Sequence, residues 1–130
     1  MINEKSCGCI IINSDNKVLL VYEKGRDFWG FPKGHTEKDE TEIETALREV
    51  KEEVGIDVKI DESIRYESKY SFDNINKTVV FYKAIPVNEN VLMQESEIEE
   101  YRWCSYDEAI KIIKYDNLKS ILKSVMKKSK

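Results

Sequence analysis

The chain has 130 residues, of which 41% are hydrophobic and 35% charged, and its formal net charge is -4. A chain of this length can bury a core without metal or disulfide staples, so we expect one domain over residues 1–130. The acidic balance disfavours non-specific binding to nucleic acid, and no apolar run approaches the length of a membrane span. The first residues lack the basic and apolar regions of a secretory signal, which favours a cytoplasmic protein without a membrane partner.

Three cysteines, Cys7, Cys9 and Cys104, form an odd set, which argues against a disulfide framework. Cys7 and Cys9 could form half of a soft-metal site, but the sequence has no second cysteine pair and only one histidine, His35. We therefore expect buried free thiols.

The first predicted elements are two strands, at residues 6–13 and 17–23, rich in aliphatic and β-branched side chains. The turn-forming residues at 14–16 predict that these strands form a hairpin. A loop follows, and glycines at positions 30 and 34 indicate irregular backbone that can approach a ligand closely.

The next element is a helix, which Asp39 or Thr41 can cap at its start and Gly55 can end. Beyond it, strands at 64–72 and 78–87 predict a second hairpin around the loop 73–77.

The last third of the chain begins with a loop at 89–97 and a short strand at 101–104. A capping box formed by Ser105 and Glu108 opens a helix, and a further helical pattern starts near Asn117. Helices that interleave with antiparallel hairpins predict an α/β fold with a mixed sheet.

The first helix carries two separate patterns. Its apolar residues recur at i, i+3, i+4 and i+7, which is typical of a helix that packs on a core: Ile43, Ala46, Leu47, Val50 and Val54. Glu49, Glu52 and Glu53 cluster on another face, where like charges repel by about a few tenths of a kcal/mol per pair. Either this is a solvated acidic face, or a hard cation such as Mg²⁺ or Mn²⁺ removes the repulsion. Periodicity alone does not decide between the two.

The spacing around this helix matches a known motif at every fixed position. The matching residues are Gly34, Glu40, Arg48-Glu49-Val50, Glu52-Glu53 and Gly55-Ile56, in the pattern G-x5-E-x7-R-E-U-x-E-E-x-G-U with U aliphatic. The chain therefore resembles the Nudix hydrolases. This resemblance implies a Nudix α/β/α sandwich and hydrolysis of a nucleoside diphosphate linked to a moiety X. One departure is Asp39, where many relatives have glycine, but aspartate tolerates left-handed backbone.

The resemblance also implies roles for the motif residues. The three helix glutamates stand at the divalent-metal positions, and the main-chain carbonyl of Lys33 matches a position that often adds a ligand. Arg48 and Glu40 would form a structural ion pair, and Gly34 would keep the backbone close to the site.

Features outside the motif resemble the asymmetric diadenosine tetraphosphate hydrolases. Residues 29–35 are similar to their W-x-P-P-K-G-H run except at Phe31, and residues 77–82 and 101–103 continue the likeness. In those relatives an acidic loop residue precedes the last segment, which makes Glu97 a candidate metal ligand or the base that positions water.

Substrate-binding candidates follow from the same resemblance. Lys33 and His35 would contact the polyphosphate, although Lys33 could be solvated and His35 could satisfy the backbone. Tyr70 and Tyr82 are candidates to stack on adenine, although each could belong to the core. Phe81 and Tyr82 face opposite sides of a strand, so only one of them can line the cleft, and we favour Tyr82.

The expected reaction is attack of metal-activated water that splits diadenosine tetraphosphate into ATP and AMP. Phe31 and Lys38-Asp39-Glu40 also resemble mRNA decapping enzymes, so an RNA 5'-end pyrophosphohydrolase stays an alternative, as does an enzyme that removes oxidised nucleotides. Nucleic acid would then enter only as an RNA 5'-end substrate. A non-catalytic module that senses a nucleotide is the alternative from another class.

Overall fold

The computed structural model describes residues 2–129, with side chains described as far as 126. Within this range the chain forms seven strands and three helices. They are β1 (Ile2–Ile11), β2 (Val18–Glu23), β3 (Trp29–Gly30), β4 (Lys33–His35), α1 (Glu42–Val54), β5 (Val58–Phe72), β6 (Ile75–Pro86), β7 (Ile98–Cys104), α2 (Tyr106–Ile112) and α3 (Asp116–Ser129).

The strands form two sheets. The larger sheet has the order β4-β1-β6-β5, in which β1 is antiparallel to β4 and parallel to β6. The smaller sheet has the order β3-β2-β7 and is antiparallel throughout. The larger sheet is therefore mixed, as the sequence predicts.

Two apolar clusters lie on opposite faces of the larger sheet. Ile10 and Phe81 belong to the cluster that includes α2 and α3, whereas Cys9 and Tyr82 belong to the cluster that includes α1. Neighbouring residues of one strand alternate between the two clusters because side chains point to opposite faces. The prediction of an α/β/α sandwich is thus confirmed.

The predicted hairpin at 6–13 and 17–23 is wrong beyond its turn. β1 and β2 belong to different sheets, and the ladder pairing expected of a hairpin is reduced to an isolated bridge between Ile12 and Val18. The turn itself forms, because the side chain of Asn13 accepts hydrogen bonds from the N–H groups of Asp15 and Lys17. The turn therefore passes the chain from one sheet to the other.

The second predicted hairpin exists but has a tighter turn. β5 and β6 are paired from Phe72 and Ile75 onwards, so the turn consists of Asp73 and Asn74, with Asp73 at a φ of 51°. Lys77, assigned to the loop from sequence, therefore lies within β6.

Helix α1 begins and ends as its sequence predicts. Thr41 and Glu44 form a capping box, and Gly55 ends the helix in the left-handed conformation at a φ of 71°. Asp39 also has a φ of 71°, which confirms that aspartate keeps the left-handed turn before the helix. Leu47 differs from the prediction, because its side chain is exposed at the margin of the apolar stripe.

The cysteine prediction is confirmed, since Cys7, Cys9 and Cys104 are buried and free. Across the described part of the chain, no helix combines the length and apolar character that crossing a membrane requires.

Candidate active site

The site forms where β4 passes over helix α1. β4 is paired with β1, with Gly34 opposite Cys7 and Lys33 opposite Gly8. The main-chain N–H of Lys33 donates a 3.2 Å hydrogen bond to Oε1 of Glu53, which ties this strand to the end of the helix. The strand β4, which contains Gly34 of the motif, and the acidic face of α1 therefore face each other.

Three carboxylates converge at this point. Glu49, Glu53 and Glu97 each place an oxygen within 4.8 Å of the others, and the two helix residues are buried whereas Glu97 is exposed. The loop carrying Glu97 is fixed by the main chain: Gln94 donates to the carbonyl of Glu53 at 2.9 Å, and Lys24 donates to the carbonyl of Glu97 at 2.8 Å. The structure therefore brings Glu97, far away in sequence, beside the helix.

Burial makes these carboxylates costly to ionise in the absence of a counter-charge. Burial, and then repulsion from Glu23 and Glu49, raises the pKa of Glu53 to about 9, and burial raises the pKa of Glu49 as well. A hard divalent cation would supply the missing positive charge and accept oxygen ligands at this spacing. The residues present thus fit a Mg²⁺ or Mn²⁺ ion.

Arg48 organises the other side of the acidic face. Its guanidinium donates to Glu40 at 2.7 and 3.0 Å, to Glu49 at 2.7 Å, to Glu52 at 3.1 Å and to the carbonyl of His35 at 2.9 Å. These contacts place Arg48 and Glu40 in the ion pair that the sequence predicts between helix and loop. Glu52 is half-exposed and is not one of the three clustered carboxylates, but it shares Nη1 of Arg48 with Glu49.

A cavity of about 360 Å³ opens in front of the carboxylates. It is lined by Ser6, Glu23, Lys24, Arg26, Lys33, Gly34, His35, Glu49, Glu53, Ser96 and Glu97. Its wall combines carboxylates with cationic side chains, which suits a phosphate group held together with a metal ion. The structure thus places Lys33 and His35 beside the acidic cluster, as the resemblance implies.

His35 makes a side-chain contact that its sequence does not predict. Its Nε2 lies 3.1 Å from Nζ of Lys77, which is 6% exposed and donates to the hydroxyl of Ser6 at 2.8 Å. Partial burial and then the Lys77 charge lower the pKa of His35, and burial lowers the pKa of Lys77. A lysine ammonium group has donors and no acceptor, so Lys77 is the donor in this contact and the ring has a side-chain partner at this position.

A second cavity of about 760 Å³ adjoins the first, and six of its sixteen lining residues are aromatic. Its aromatic residues are Phe28, Phe31, Tyr70, Phe72, Phe81 and Tyr115. The rings of Tyr70 and Phe72 are stacked with centroids 5.9 Å apart, and Phe28 meets Tyr115 edge-on at 4.9 Å. Such a cavity suits a flat, apolar ring such as a nucleobase.

The choice of Tyr82 as a cleft residue needs correction. Tyr82 packs in the cluster that includes α1, and its hydroxyl donates a 2.7 Å hydrogen bond to Glu42, away from both cavities. Phe81, on the opposite face of the strand, lines the aromatic cavity instead. Tyr70 lines that cavity as expected from the resemblance.

Several residues of the two cavities are not predicted from sequence, among them Glu23, Arg26, Phe28 and Tyr115. The first three precede the motif directly, so a charged and aromatic loop beside a phosphate-binding sequence is the signal that could have found them. Tyr115 lies in a short link between α2 and α3, where nothing local distinguishes it from a surface aromatic residue.

The fold is an α/β/α sandwich, and Gly34 and the acidic face of α1 line a cavity whose carboxylates and cationic side chains suit a phosphate group. Together, fold and site define a class of protein. The family model of the NUDIX domain matches residues 3–127, so the chain belongs to the Nudix family. It is a Nudix pyrophosphohydrolase, an enzyme that acts on acid anhydrides in phosphorus-containing compounds.

The chain is similar to relatives of different substrate classes. It is 35% identical to the Bis(5'-nucleosyl)-tetraphosphatase [asymmetrical] of Sus scrofa, over 91% of this chain and 90% of that protein. It is 31% identical to the mRNA-decapping enzyme subunit 2 of Saccharomyces cerevisiae, over 88% of this chain but 12% of that protein. Among solved structures, a C. elegans Ap4A hydrolase binary complex superposes with a TM-score of 0.88 at 28% identity, covering 97% of both chains.

Proposed function

We propose that this chain is a divalent-metal-dependent hydrolase that splits diadenosine tetraphosphate asymmetrically into ATP and AMP. The observation that carries the proposal is a pair of adjoining cavities. The first is lined by carboxylates and cationic side chains, and the second contains aromatic rings. A dinucleoside polyphosphate presents a matching arrangement, with a charged bridge next to a flat base. The similarity to an asymmetrical tetraphosphatase over most of both chains supports this substrate.

The proposed ligand set for Mg²⁺, with Mn²⁺ as the alternative, is Glu49, Glu53, Glu97 and the carbonyl of Lys33. Glu52 remains a proposed ligand, whose half-exposed side chain would turn from Arg48 towards the ion. The bound cation would offset phosphate charge and lower the pKa of a water molecule.

The protein's own groups supply orientation and proton transfer. Glu97 is the exposed member of the cluster, so in this proposal it accepts the proton of the attacking water. Lys33 and His35 bind the phosphates, Arg48 and Glu40 hold the acidic face in place, and Tyr70 stacks on the base. We also propose that the protein is cytoplasmic and acts there on nucleoside polyphosphates.

A product analysis tests this function. The purified protein is incubated with diadenosine tetraphosphate, triphosphorylated RNA, capped RNA and an oxidised deoxynucleoside triphosphate, with Mg²⁺, with Mn²⁺ and with a chelator. We expect equal amounts of ATP and AMP from the dinucleotide, dependence on the cation, and loss of turnover in Glu53→Gln. Negligible cleavage of the dinucleotide beside rapid RNA processing would refute the proposal.

RNA 5'-end hydrolysis is the second candidate, because the chain is 31% identical to a decapping enzyme subunit. Phe31 and Lys38-Asp39-Glu40 are the sequence features that favour it, and Phe31 is 1% exposed and packs edge-on against Phe81 at 5.2 Å. Core packing therefore accounts for Phe31 without an RNA substrate. A non-catalytic sensor has less support, since the family match and the complete glutamate set both favour an enzyme.

A further inference from the structure

The two cavities share one wall. Glu23, Arg26 and Lys33 line both of them, whereas the carboxylate cluster borders the first cavity alone and the tyrosines border the second alone. A ligand that reaches from the carboxylates to the aromatic rings has to pass this wall. Lys33 already has a proposed role as a metal and phosphate ligand, whereas Glu23 and Arg26 have no role so far.

Local structure fixes the position of Arg26. Gly25 adopts a φ of 78° after β2, and the N–H of Arg26 donates to the carbonyl of Glu23 at 3.3 Å. The side chain then returns to the strand, with Nε 3.0 Å from Oε2 of Glu23. The neighbouring N–H of Lys24 is bonded to the carbonyl of Glu97, which anchors this loop to the acidic site.

The charge of Arg26 acts on the phosphate-facing side of the first cavity. Arg26 lines this cavity together with Lys33 and His35, so its guanidinium adds positive charge to the wall that would face the phosphates. Glu23 is 19% exposed, whereas Arg26 is half-exposed and therefore accessible to a ligand. Guanidinium groups form paired, charge-assisted hydrogen bonds with phosphate oxygens, which suits a bridge of several phosphates.

We propose that Arg26 is a specificity-determining residue that binds the phosphates between the reacting phosphorus and the base, and that Glu23 positions it. The enzyme then favours long polyphosphate bridges, because a short bridge leaves Arg26 without a phosphate to bind. This inference rests on the proposed function for the direction of the substrate through the two cavities.

Product binding tests Arg26 without relying on turnover. Calorimetry compares the binding of ATP, whose three phosphates span the shared wall, with that of AMP, which has one. In Arg26→Gln we expect ATP to bind about tenfold more weakly, the effect of one lost charge-assisted hydrogen bond, and AMP to change by less than about threefold. Arg26→Lys should restore part of the ATP affinity. Equal weakening of both nucleotides, or no weakening of ATP, would overturn the assignment.

Lys59→Gln is the matched control, since Lys59 is exposed on β5, outside both cavities, and its loss changes the net charge equally. With diadenosine tetraphosphate, Arg26→Gln should raise KM about tenfold and leave kcat within about twofold, as expected for lost binding without lost chemistry. A fall in kcat with KM unchanged would instead place Arg26 in the chemical step and refute the proposal.

A double-mutant cycle tests the role of Glu23. If Glu23 positions Arg26, Glu23→Gln weakens ATP binding about threefold and the double variant is no weaker than Arg26→Gln alone. Tighter ATP binding in Glu23→Gln would show that Glu23 only repels phosphate, and the positioning role would be wrong.

The outcome also separates this inference from the proposed function. If diadenosine tetraphosphate is not cleaved but Arg26→Gln selectively weakens ATP, the function falls and the Arg26 assignment stands. If ATP and AMP are produced but both nucleotides weaken equally, the function stands and the assignment falls.

Discussion

Gly34 and Glu49 occupy adjoining space, such that a Cβ atom on Gly34 would overlap the Glu49 carboxylate. Because Gly34 has no side chain, the buried carboxylate of Glu49, a proposed metal ligand, fits between β4 and α1. Gly8, on the paired strand, has a different neighbour, since a Cβ there would overlap the main-chain carbonyl oxygen of Pro32. The first overlap involves the movable end of a side chain, and the second involves backbone.

This difference predicts opposite phenotypes for two alanine variants. Gly34→Ala should displace the Glu49 carboxylate and lower kcat by about a hundredfold, with little change in the free energy of unfolding. Gly8→Ala should lower the free energy of unfolding by about 1–3 kcal/mol, because packed backbone has to move. Steady-state kinetics, Mg²⁺ titration and urea unfolding measure the two effects. Wild-type kcat in Gly34→Ala would refute the prediction that a side chain at position 34 displaces the Glu49 carboxylate from its working position.

Glu97 provides a second test because it joins the helix glutamates from a separate loop. Glu97→Gln should reduce kcat by about 10- to 100-fold, since the variant keeps the shape of the side chain but can neither accept a proton nor offset cation charge. Glu95→Gln is the matched control, an exposed residue of the same loop outside both cavities. Equal activity of the two variants would remove Glu97 from the proposed ligand and base positions.

Local signals explain why helix α1 could be predicted closely. Its capping box at Thr41 and Glu44, and its glycine end at Gly55, depend on residues within one or two turns of each other. The ion pair of Arg48 with Glu40 is implied by the resemblance, and the structure forms it. The part of the site that the motif residues form can therefore be predicted from the sequence.

The pairing of strands cannot be predicted from local sequence in the same way. Whether β2 pairs with β1 or with β7 depends on contacts between distant segments, and the turn at Asn13 is compatible with either outcome. Alternation showed that Phe81 and Tyr82 face opposite sides, but it does not say which side holds the cleft. The interpretation of Tyr82 as a cleft residue is wrong for that reason, and Tyr115 is not predicted because only the fold brings it to the cavity that Tyr70 also lines.

The aromatic cavity predicts a role for Tyr115 in substrate binding. Tyr115→Ala should raise KM for diadenosine tetraphosphate about tenfold, since stacking on a base contributes roughly 1–3 kcal/mol. Tyr70→Ala should act in the same direction, and kcat should change little in either variant. Tyr101→Ala is the control, because Tyr101 is a comparably exposed tyrosine on β7 that lines neither cavity. Unchanged KM in both cavity variants would place the base elsewhere.

The ion pair between helix and loop predicts a pH-dependent contribution to stability. Hydrogen bonds from Arg48, and then from the N–H of Glu37, lower the pKa of Glu40 from its ordinary value of 4.5 to about 2. The unfolded chain therefore binds this proton before the folded protein does as the pH falls. The stabilisation is complete above about pH 4.5 and is lost as the pH approaches 2.

Glu40→Gln should accordingly unfold at a lower urea concentration than the unmodified protein at pH 7. The difference in the free energy of unfolding should stay constant down to about pH 4.5 and then shrink towards pH 2, because the carboxyl group becomes neutral in both states. Comparing the two proteins cancels the other acidic groups, which titrate in both, and Glu95→Gln controls for the loss of one charge. A difference that persists undiminished at pH 2 would mean that Glu40 stabilises the loop as a neutral hydrogen-bond acceptor, without an ion pair to Arg48.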